Sequence, residues 1–170
     1  MRSWIISKKP VLWFGLKFGL LMALLYGLLL VPACEQLLLA YLQLNAWLAN
    51  AILNLLGQGS HVSGVTISSP KFAMAIRRGC DAVEPTWLLC AAMLSYPARW
   101  TDKFTGMAIG AVALQALNLA RMVSLYFVGV YLPSFFNSVH LEIWPTVFIL
   151  VAIILMTGWI NWTKRHAVAP

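Results

Sequence analysis

Three side chains between residues 80 and 140 have the chemistry needed for acyl transfer: the thiol of Cys80, the guanidinium of Arg121 and the imidazole of His140. A thiolate can attack a carbonyl carbon, and an imidazole can accept and return a proton near neutral pH. A guanidinium stays protonated and can stabilise a developing oxyanion. Because long segments separate these residues, the elements that carry them decide whether they meet.

Arg121 lies inside a long apolar segment, residues 104–133. An arginine at bilayer depth costs between ~2.5 and more than ~10 kcal/mol, so such residues face a partner or a wet cavity. We therefore interpret Arg121 as a site residue. Two alternatives stay open: an ion pair with Glu84 or Glu142, and an anion-binding site in a small transporter or channel subunit.

The composition is that of a membrane protein. Of the 170 residues, 61% are hydrophobic and 10% are charged, whereas soluble domains are ~45–50% apolar. The net charge of +7 does not indicate nucleic-acid binding, because the basic residues form short clusters beside apolar segments rather than one stripe. We predict a single polytopic domain, residues 1–170, in the lipid bilayer.

The hydropathy pattern predicts an all-α bundle of about four transmembrane helices, at residues 11–31, 82–98, 104–132 and 141–162. The positive-inside rule places the basic clusters near the N-terminus, after residue 98 and after residue 162 in the cytoplasm. The first segment is longer than the apolar region of a signal peptide and contains Lys17, which favours an uncleaved anchor.

Residues 35–56 are long enough to cross the membrane, but a crossing would move the later basic clusters outside. If the segment is helical, its polar residues form a stripe along one face: Gln36, Gln43, Asn50 and Asn54. This favours an amphipathic helix at the outer interface, and the alternative is a fifth, tilted span. Residues 57–79 contain glycines and two β-prone stretches around a turn, which predicts a small outer-face β-hairpin.

The depth of the three reactive residues follows from counting outward from the inner basic clusters at ~1.5 Å per helical residue. The three intervals are about 28 Å from Arg99 to Cys80, about 27 Å from Lys103 to Arg121 and about 36 Å from Lys164 to His140. The hydrocarbon core is ~30 Å thick. All three side chains are therefore expected near the outer boundary, where they could converge.

The residues after Cys80 resemble a helix start, because Asp81 and Glu84 predict a capping box and a proline follows in the first turn. The positive end of the helix dipole, with Arg77 and Arg78 nearby, is expected to favour the thiolate. Cys80 is therefore the candidate nucleophile.

Two further residues could orient the reactive groups. Glu84 lies one turn after Cys80, and Asn118 lies one turn before Arg121. The alternative for both is an ordinary interhelical hydrogen bond. The other two cysteines are interpreted as structural: Cys34 and Cys90. No metal-ligand spacing occurs among the cysteines and histidines, so we predict neither a metal nor a cofactor.

The chain resembles the exosortase/archaeosortase family of integral-membrane cysteine transpeptidases over about residues 72–162. The resemblance rests on Gly79-Cys80 opening a span, on Asn118-Leu119-Ala120-Arg121 late in the next, and on His140 before the last. The small size is similar to the short bacterial branch typified by exosortase H. The chain departs from the family at Asp81 and Ala82, where a small residue and then glycine are common.

The resemblance implies a membrane-embedded cysteine protease or transpeptidase, with Cys80 as nucleophile and Arg121 and His140 as its catalytic partners. It implies exported protein substrates that carry a C-terminal motif, one transmembrane helix and a basic tail. Such a tail presents its motif at the outer face. We therefore expect a multi-pass protein of the bacterial inner membrane whose active site faces the periplasm or the cell exterior.

Overall fold

The computed structural model describes the backbone of residues 2–168 and the side chains of residues 9 and 11–166. Helices and a small sheet follow one another along this part of the chain: α1 (Arg2–Leu28), α2 (Pro32–Leu55), β1 (His61–Ser63), β2 (Thr66–Ser68), β3 (Ala73–Ala75), α3 (Val83–Ser95), α4 (Trp100–Tyr131), α5 (Phe136–Ser138) and α6 (Trp144–Val168). Four described stretches are long and apolar enough to cross a membrane: Val11–Leu28, Pro32–Leu55, Trp100–Tyr131 and Pro133–His166. The predicted all-α membrane fold with a small sheet is confirmed.

The helices of spanning length include α2 but not α3. α3 has 13 residues, about 20 Å of helix, which is shorter than a ~30 Å hydrocarbon core. It ends because Pro97 disfavours helical backbone at the preceding residue, and Tyr96 is extended, with φ −75° and ψ 141°. The predicted span at 82–98 is therefore a shorter helix with an extended end. Whether 35–56 crosses the membrane stays a prediction.

The buried face of α2 lies apart from the polar stripe. It consists of Leu42, Asn45, Ala46, Ala49 and Leu53. Within the stripe, Gln36, Gln43 and Asn54 are exposed. At the C-terminal end of the stripe, Asn54 is hydrogen-bonded to the following loop, because its Oδ1 accepts the Ser60 N–H at 2.8 Å.

The sheet has three antiparallel strands in the order β1-β2-β3, one strand more than the predicted hairpin. The longer β-prone stretch is divided because Gly64 forms a turn with φ +62°, a conformation that glycine adopts freely. The sheet packs on the C-terminal half of α4. Phe72 occupies the space beside Gly129, where a β-carbon would meet its ring, and the Tyr126 hydroxyl donates to Ser69 Oγ at 2.6 Å.

A second core joins α3, α4 and α6 at the opposite end of α4. Trp159 on α6 packs against Gly106, where a side chain would collide with the indole, and its Nε1 donates to the Asp102 carbonyl oxygen at 2.8 Å. Lys103 Nζ donates to the Leu94 carbonyl oxygen at 2.7 Å. The sheet and α6 thus hold α4 at both ends.

Candidate active site

Cys80 lies in the turn that connects β3 to α3. Two residues of this turn have positive φ angles, Gly79 at +86° and Ala82 at +57°. The Asp81 side chain is buried, and its Oδ1 accepts the N–H of Val83 at 3.1 Å. The turn is therefore a tightly bonded segment with the thiol at its centre.

The predicted capping box is wrong. The residue that precedes the first turn of α3 is Ala82, which provides no side-chain cap. Asp81 bonds the nearby Val83 N–H instead of a later one, and Glu84 is exposed. Glu84 therefore does not join the cluster around Cys80.

His140 lies in a π-helical turn, Val139–Ile143, between α5 and α6. Such turns are rare and occur often at functional sites. The imidazole stacks on Phe136, with ring centroids 5.8 Å apart and planes at 19°. Phe136 also packs on Phe72, which precedes β3. The sheet and the π-helical turn together fix the ring.

Arg121, on α4, is only 6% exposed. Its Nη1 donates to the Gly79 carbonyl oxygen at 3.2 Å. Its Nη2 lies 3.8 Å from Cys80 Sγ, 3.4 Å from His140 Nδ1 and 3.5 Å from the His140 carbonyl oxygen. The guanidinium thus contacts the Cys80 turn and the His140 turn at once.

The three predicted site residues meet in space. Cys80 Sγ lies 3.6 Å from His140 Nε2, and Arg121 contacts both partners. The chain segments that carry them are a loop, a long helix and a π-helical turn. A thiol, a proton acceptor and a fixed cation within hydrogen-bonding distance form an arrangement that can perform nucleophilic acyl transfer.

The position of the ring hydrogen on His140 decides whether Nε2 donates a hydrogen bond to Cys80 or can accept its proton. When Nδ1 accepts a hydrogen bond from Arg121, Nε2 carries the ring hydrogen and donates to the sulfur of Cys80. When Nδ1 carries the hydrogen, Nε2 has a lone pair that can accept the thiol proton. In both forms the sulfur lies between an imidazole nitrogen and a guanidinium.

The electrostatics of Cys80 differ from the sequence prediction. Burial raises the pKa of the Cys80 thiol above its ordinary value, and the nearby Arg121 charge opposes this effect. Arg77 and Arg78 are exposed, and Arg78 pairs with Glu35 at 3.0 Å. The positive charge that acts on the sulfur is therefore mainly that of Arg121, and the thiol requires a base.

Asp81 contributes a second buried carboxyl group to the turn. Burial raises its pKa above the ordinary value, while the Val83 N–H and the Arg121 charge oppose the shift. Among the described side chains the ion pair within 4 Å is Arg78–Glu35. The predicted alternative, an ion pair of Arg121 with Glu84 or Glu142, is thus not what the structure records.

Asn118 is fully buried one turn before Arg121, but it bonds another helix rather than the reactive groups. Its Nδ2 lies 3.2 Å from Oδ1 of Asn45 on α2. Two buried polar atoms beside the site have no protein partner, Asn118 Oδ1 and Arg121 Nε. Asn118 therefore belongs to the polar contact between α2 and α4, as its alternative interpretation held.

Three residues of this contact were missed by the sequence analysis: Tyr41, Asn45 and Gln115. Gln115 Nε2 donates to Asn45 Oδ1 at 2.6 Å, and Asn45 Nδ2 donates to the Tyr41 carbonyl oxygen at 2.8 Å. The available signal was Gln115, a polar residue in an apolar helix and one turn before Asn118.

Comparison with known proteins identifies the family to which the chain belongs. A family model described as transmembrane exosortase matches residues 11–159, a range that contains the candidate nucleophile, the buried arginine and the histidine. No curated protein and no solved structure matches the chain significantly. The match covers most of the 170 residues and agrees with the apolar helices of a multi-pass membrane protein. The chain therefore belongs to the transmembrane exosortase family.

Proposed function

We propose that this protein is a membrane-embedded cysteine protease or transpeptidase that cleaves C-terminal sorting signals of exported proteins through a thioester on Cys80. The observation that carries the proposal is the pair of contacts made by Cys80 Sγ, 3.6 Å to His140 Nε2 and 3.8 Å to Arg121 Nη2. Membership of the exosortase family supports a membrane peptidase or transpeptidase with such substrates.

In the first half-reaction, His140 Nε2 takes the proton of the Cys80 thiol while Sγ attacks the scissile carbonyl carbon. The tetrahedral intermediate then collapses and its C–N bond breaks. The proton on His140 passes to the leaving amine, and the acyl group remains on sulfur as a thioester.

In the second half-reaction, an amine acceptor or water attacks the thioester carbonyl carbon and gives its proton to His140. The C–S bond breaks, and that proton returns to the Cys80 sulfur. Neither half-reaction changes an oxidation state, and neither requires a metal or an organic cofactor.

Arg121 stabilises negative charge at two stages of this reaction. Its Nη2 faces the sulfur as the thiolate forms. Its Nη1 uses one hydrogen on the Gly79 carbonyl oxygen, and the second is free to bind the oxyanion of the intermediate. The buried, planar fork gives these donors a fixed direction.

The substrate tail fits a site at the outer boundary of the membrane. A tail with a recognition motif, a transmembrane helix and a basic end would leave its basic residues in the cytoplasm. Its motif would then reach the outer face, where the depth of Cys80 was predicted. We place the active site on the periplasmic or exterior side of the bacterial inner membrane.

The transporter interpretation assigns Arg121 to an anion instead. In the structure both terminal nitrogens of Arg121 already face the Gly79 carbonyl oxygen, the sulfur and the imidazole. A transported anion would have to displace these contacts. The geometry therefore favours the enzyme.

A co-expression experiment tests the proposal. A tail-bearing exported protein from the same genome is produced with the wild type, with Cys80→Ala or with Cys90→Ala, and its processed length is measured by mass spectrometry. Cys90 is a half-buried thiol in α3 and is the matched control. We expect processing with wild type and Cys90→Ala only. Processing by Cys80→Ala would reject the thiol mechanism.

A further inference from the structure

The turn that carries Cys80 holds a backbone conformation that its own residues do not favour. Ala82 has φ +57° and ψ +11°, and it is the non-glycine residue with positive φ in the described part of the chain. A β-carbon makes this left-handed conformation costly, whereas glycine adopts it freely. Within the turn, the bond from the Val83 N–H to Asp81 Oδ1 spans Ala82, and contacts from neighbouring helices add to it.

One such contact comes from α2. The hydroxyl of Tyr41 lies 2.9 Å from the carbonyl oxygen of Asp81, the residue between Cys80 and Ala82. This carbonyl belongs to the peptide plane whose orientation the φ angle of Ala82 defines. A bond that fixes the direction of the carbonyl therefore also fixes the strained angle.

Tyr41 is itself held by the polar contact between α2 and α4. The single hydroxyl hydrogen of Tyr41 is shared between the Asp81 carbonyl oxygen and Oε1 of Gln115, both of which accept it. Gln115 bonds Asn45, and Asn45 bonds the Tyr41 carbonyl oxygen, so three residues form a closed set of hydrogen bonds. Asn45 is fully buried. The set gives Tyr41 a defined position beside the turn.

Two hydrogen bonds from α3 hold the peptide plane that follows Ala82. The Ala82 carbonyl oxygen accepts the Thr86 hydroxyl at 2.7 Å and the Thr86 N–H at 3.1 Å. These bonds fix the peptide after Ala82 and leave the peptide before it to Tyr41. The two peptide planes that flank the strained residue are thus held by different helices.

We propose that Tyr41 is a positioning residue which, by holding the Asp81 carbonyl, keeps Ala82 left-handed and so keeps the Cys80 sulfur against Arg121 and His140. The inference rests on the proposed role of Cys80. It does not depend on the identity of any substrate, since it concerns the resting position of the thiol.

The test is the pH dependence of Cys80 alkylation. The full chain in nanodiscs, with Cys34→Ser and Cys90→Ser, is treated with iodoacetamide over about pH 6–10, a range that spans ordinary thiol titration. Tyr41→Phe removes the hydroxyl and keeps the ring. We expect the thiolate fraction at neutral pH to fall roughly three- to tenfold, the factor of one lost hydrogen bond, and the midpoint of the profile to rise.

Ala82→Gly provides the rescue, because glycine adopts the left-handed conformation without the steric cost that Ala82 carries. The combined variant should have the midpoint of Ala82→Gly alone. Tyr96→Phe is the control, since it removes a tyrosine hydroxyl at the opposite end of α4, where the Tyr96 ring packs on Trp159. Its midpoint should equal that of the wild type.

An unchanged midpoint in Tyr41→Phe would overturn the proposal, and so would a raised midpoint that Ala82→Gly does not restore. If Tyr41→Phe alone does not accumulate, the combined variant is compared with Ala82→Gly. Equal midpoints then support the proposal, and a higher midpoint in the combined variant contradicts it. Because alkylation requires no sorting-tail substrate, these results are distinct from a failed cleavage assay.

Discussion

Nη2 of Arg121 lies 3.4 Å from Nδ1 of His140 and 3.8 Å from Sγ of Cys80, so a single guanidinium nitrogen contacts both partners of the proposed proton transfer. The planar fork allows this because Nη1 is bonded to the Gly79 carbonyl oxygen at the same time. Arg121 therefore links the Cys80 turn to the His140 turn in addition to supplying charge.

Arg121→Lys should keep the charge and lose this geometry. A lysine ammonium carries its three donors on one nitrogen and cannot reproduce the contacts that the two terminal nitrogens of Arg121 make with Gly79, Cys80 and His140. We expect the single-turnover rate of acylation to fall on the order of 10²-fold, as for removal of an oxyanion donor, with tail-peptide affinity retained. Both quantities are measured in the same nanodisc preparation with a synthetic sorting-tail peptide.

Arg78→Lys is the matched control for this substitution, because Arg78 is exposed and pairs with Glu35 at the surface. Its acylation rate should equal that of the wild type. Weaker peptide binding by Arg121→Lys with an unchanged rate would assign Arg121 to docking. Unchanged values of both would remove Arg121 from the site.

The titration of Cys80 should occur above that of an ordinary thiol. Burial raises its pKa, so the folded protein retains the thiol proton at pH values where the unfolded chain loses it. Alkylation of folded Cys80 should therefore rise at higher pH than alkylation of the same protein in denaturant. The folded state should also lose this contribution to stability as the pH rises through that interval.

Removal of the Arg121 charge should raise the pKa of the Cys80 thiol further. Arg121→Gln is expected to move the alkylation profile of Cys80 to still higher pH, because the Arg121 charge lowers the pKa of the thiol. A folded wild-type profile that lies below the denatured one would contradict the raised pKa of Cys80, and an unchanged or lower profile in Arg121→Gln would contradict the effect of the Arg121 charge.

The junction between the sheet and α4 should be sensitive to a single methyl group. Gly129→Ala places a β-carbon where the Phe72 ring lies, and overpacking of this kind costs ~1–3 kcal/mol. Gly158→Ala, in α6, meets no atom within 4 Å and should be neutral or slightly stabilising. Thermal unfolding in detergent compares the two. Equal stability of both variants would show that Phe72 does not pack as described.

The orientation of the chain can be tested with single cysteines at two exposed positions, Ser63 in β1 and Lys164 near the end of α6. The positive-inside rule predicts that Lys164 lies in the cytoplasm and the sheet outside. In intact cells that produce the protein with Cys34, Cys80 and Cys90 replaced by serine, an impermeant maleimide should label Ser63→Cys and not Lys164→Cys. Labelling of only Lys164→Cys, or equal labelling of both, would reject this orientation.

The convergence of Cys80, Arg121 and His140 could be predicted because helix rise and the positions of the inner basic clusters give a depth for each side chain. The depth of a side chain depends on the number of helical residues between it and a basic cluster, which can be counted in the sequence. The distances among the three residues were not predictable, because they depend on the Gly79 carbonyl, the π-helical turn and the sheet.

The α2–α4 contact could not be derived from the polar pattern of α2. That pattern defined a stripe through Gln36, Gln43, Asn50 and Asn54, yet the side chain that enters the core is Asn45, between Leu42 and Ala46. A hydrophobic pattern indicates faces of a helix, whereas the neighbour that covers each face is decided by tertiary packing. The left-handed Ala82 was unpredictable for a similar reason, since the bond to the carbonyl oxygen of the preceding Asp81 comes from Tyr41 on α2.

The most direct measurement is the intact mass of the purified protein mixed with a synthetic sorting-tail peptide and quenched at low pH. The proposed mechanism predicts an added mass equal to the acyl part of the peptide, mapped to Cys80, sensitive to hydroxylamine and absent from Cys80→Ala. Peptide cleavage without an adduct on Cys80, or with an equal yield from Cys80→Ala, would contradict a thioester on this residue.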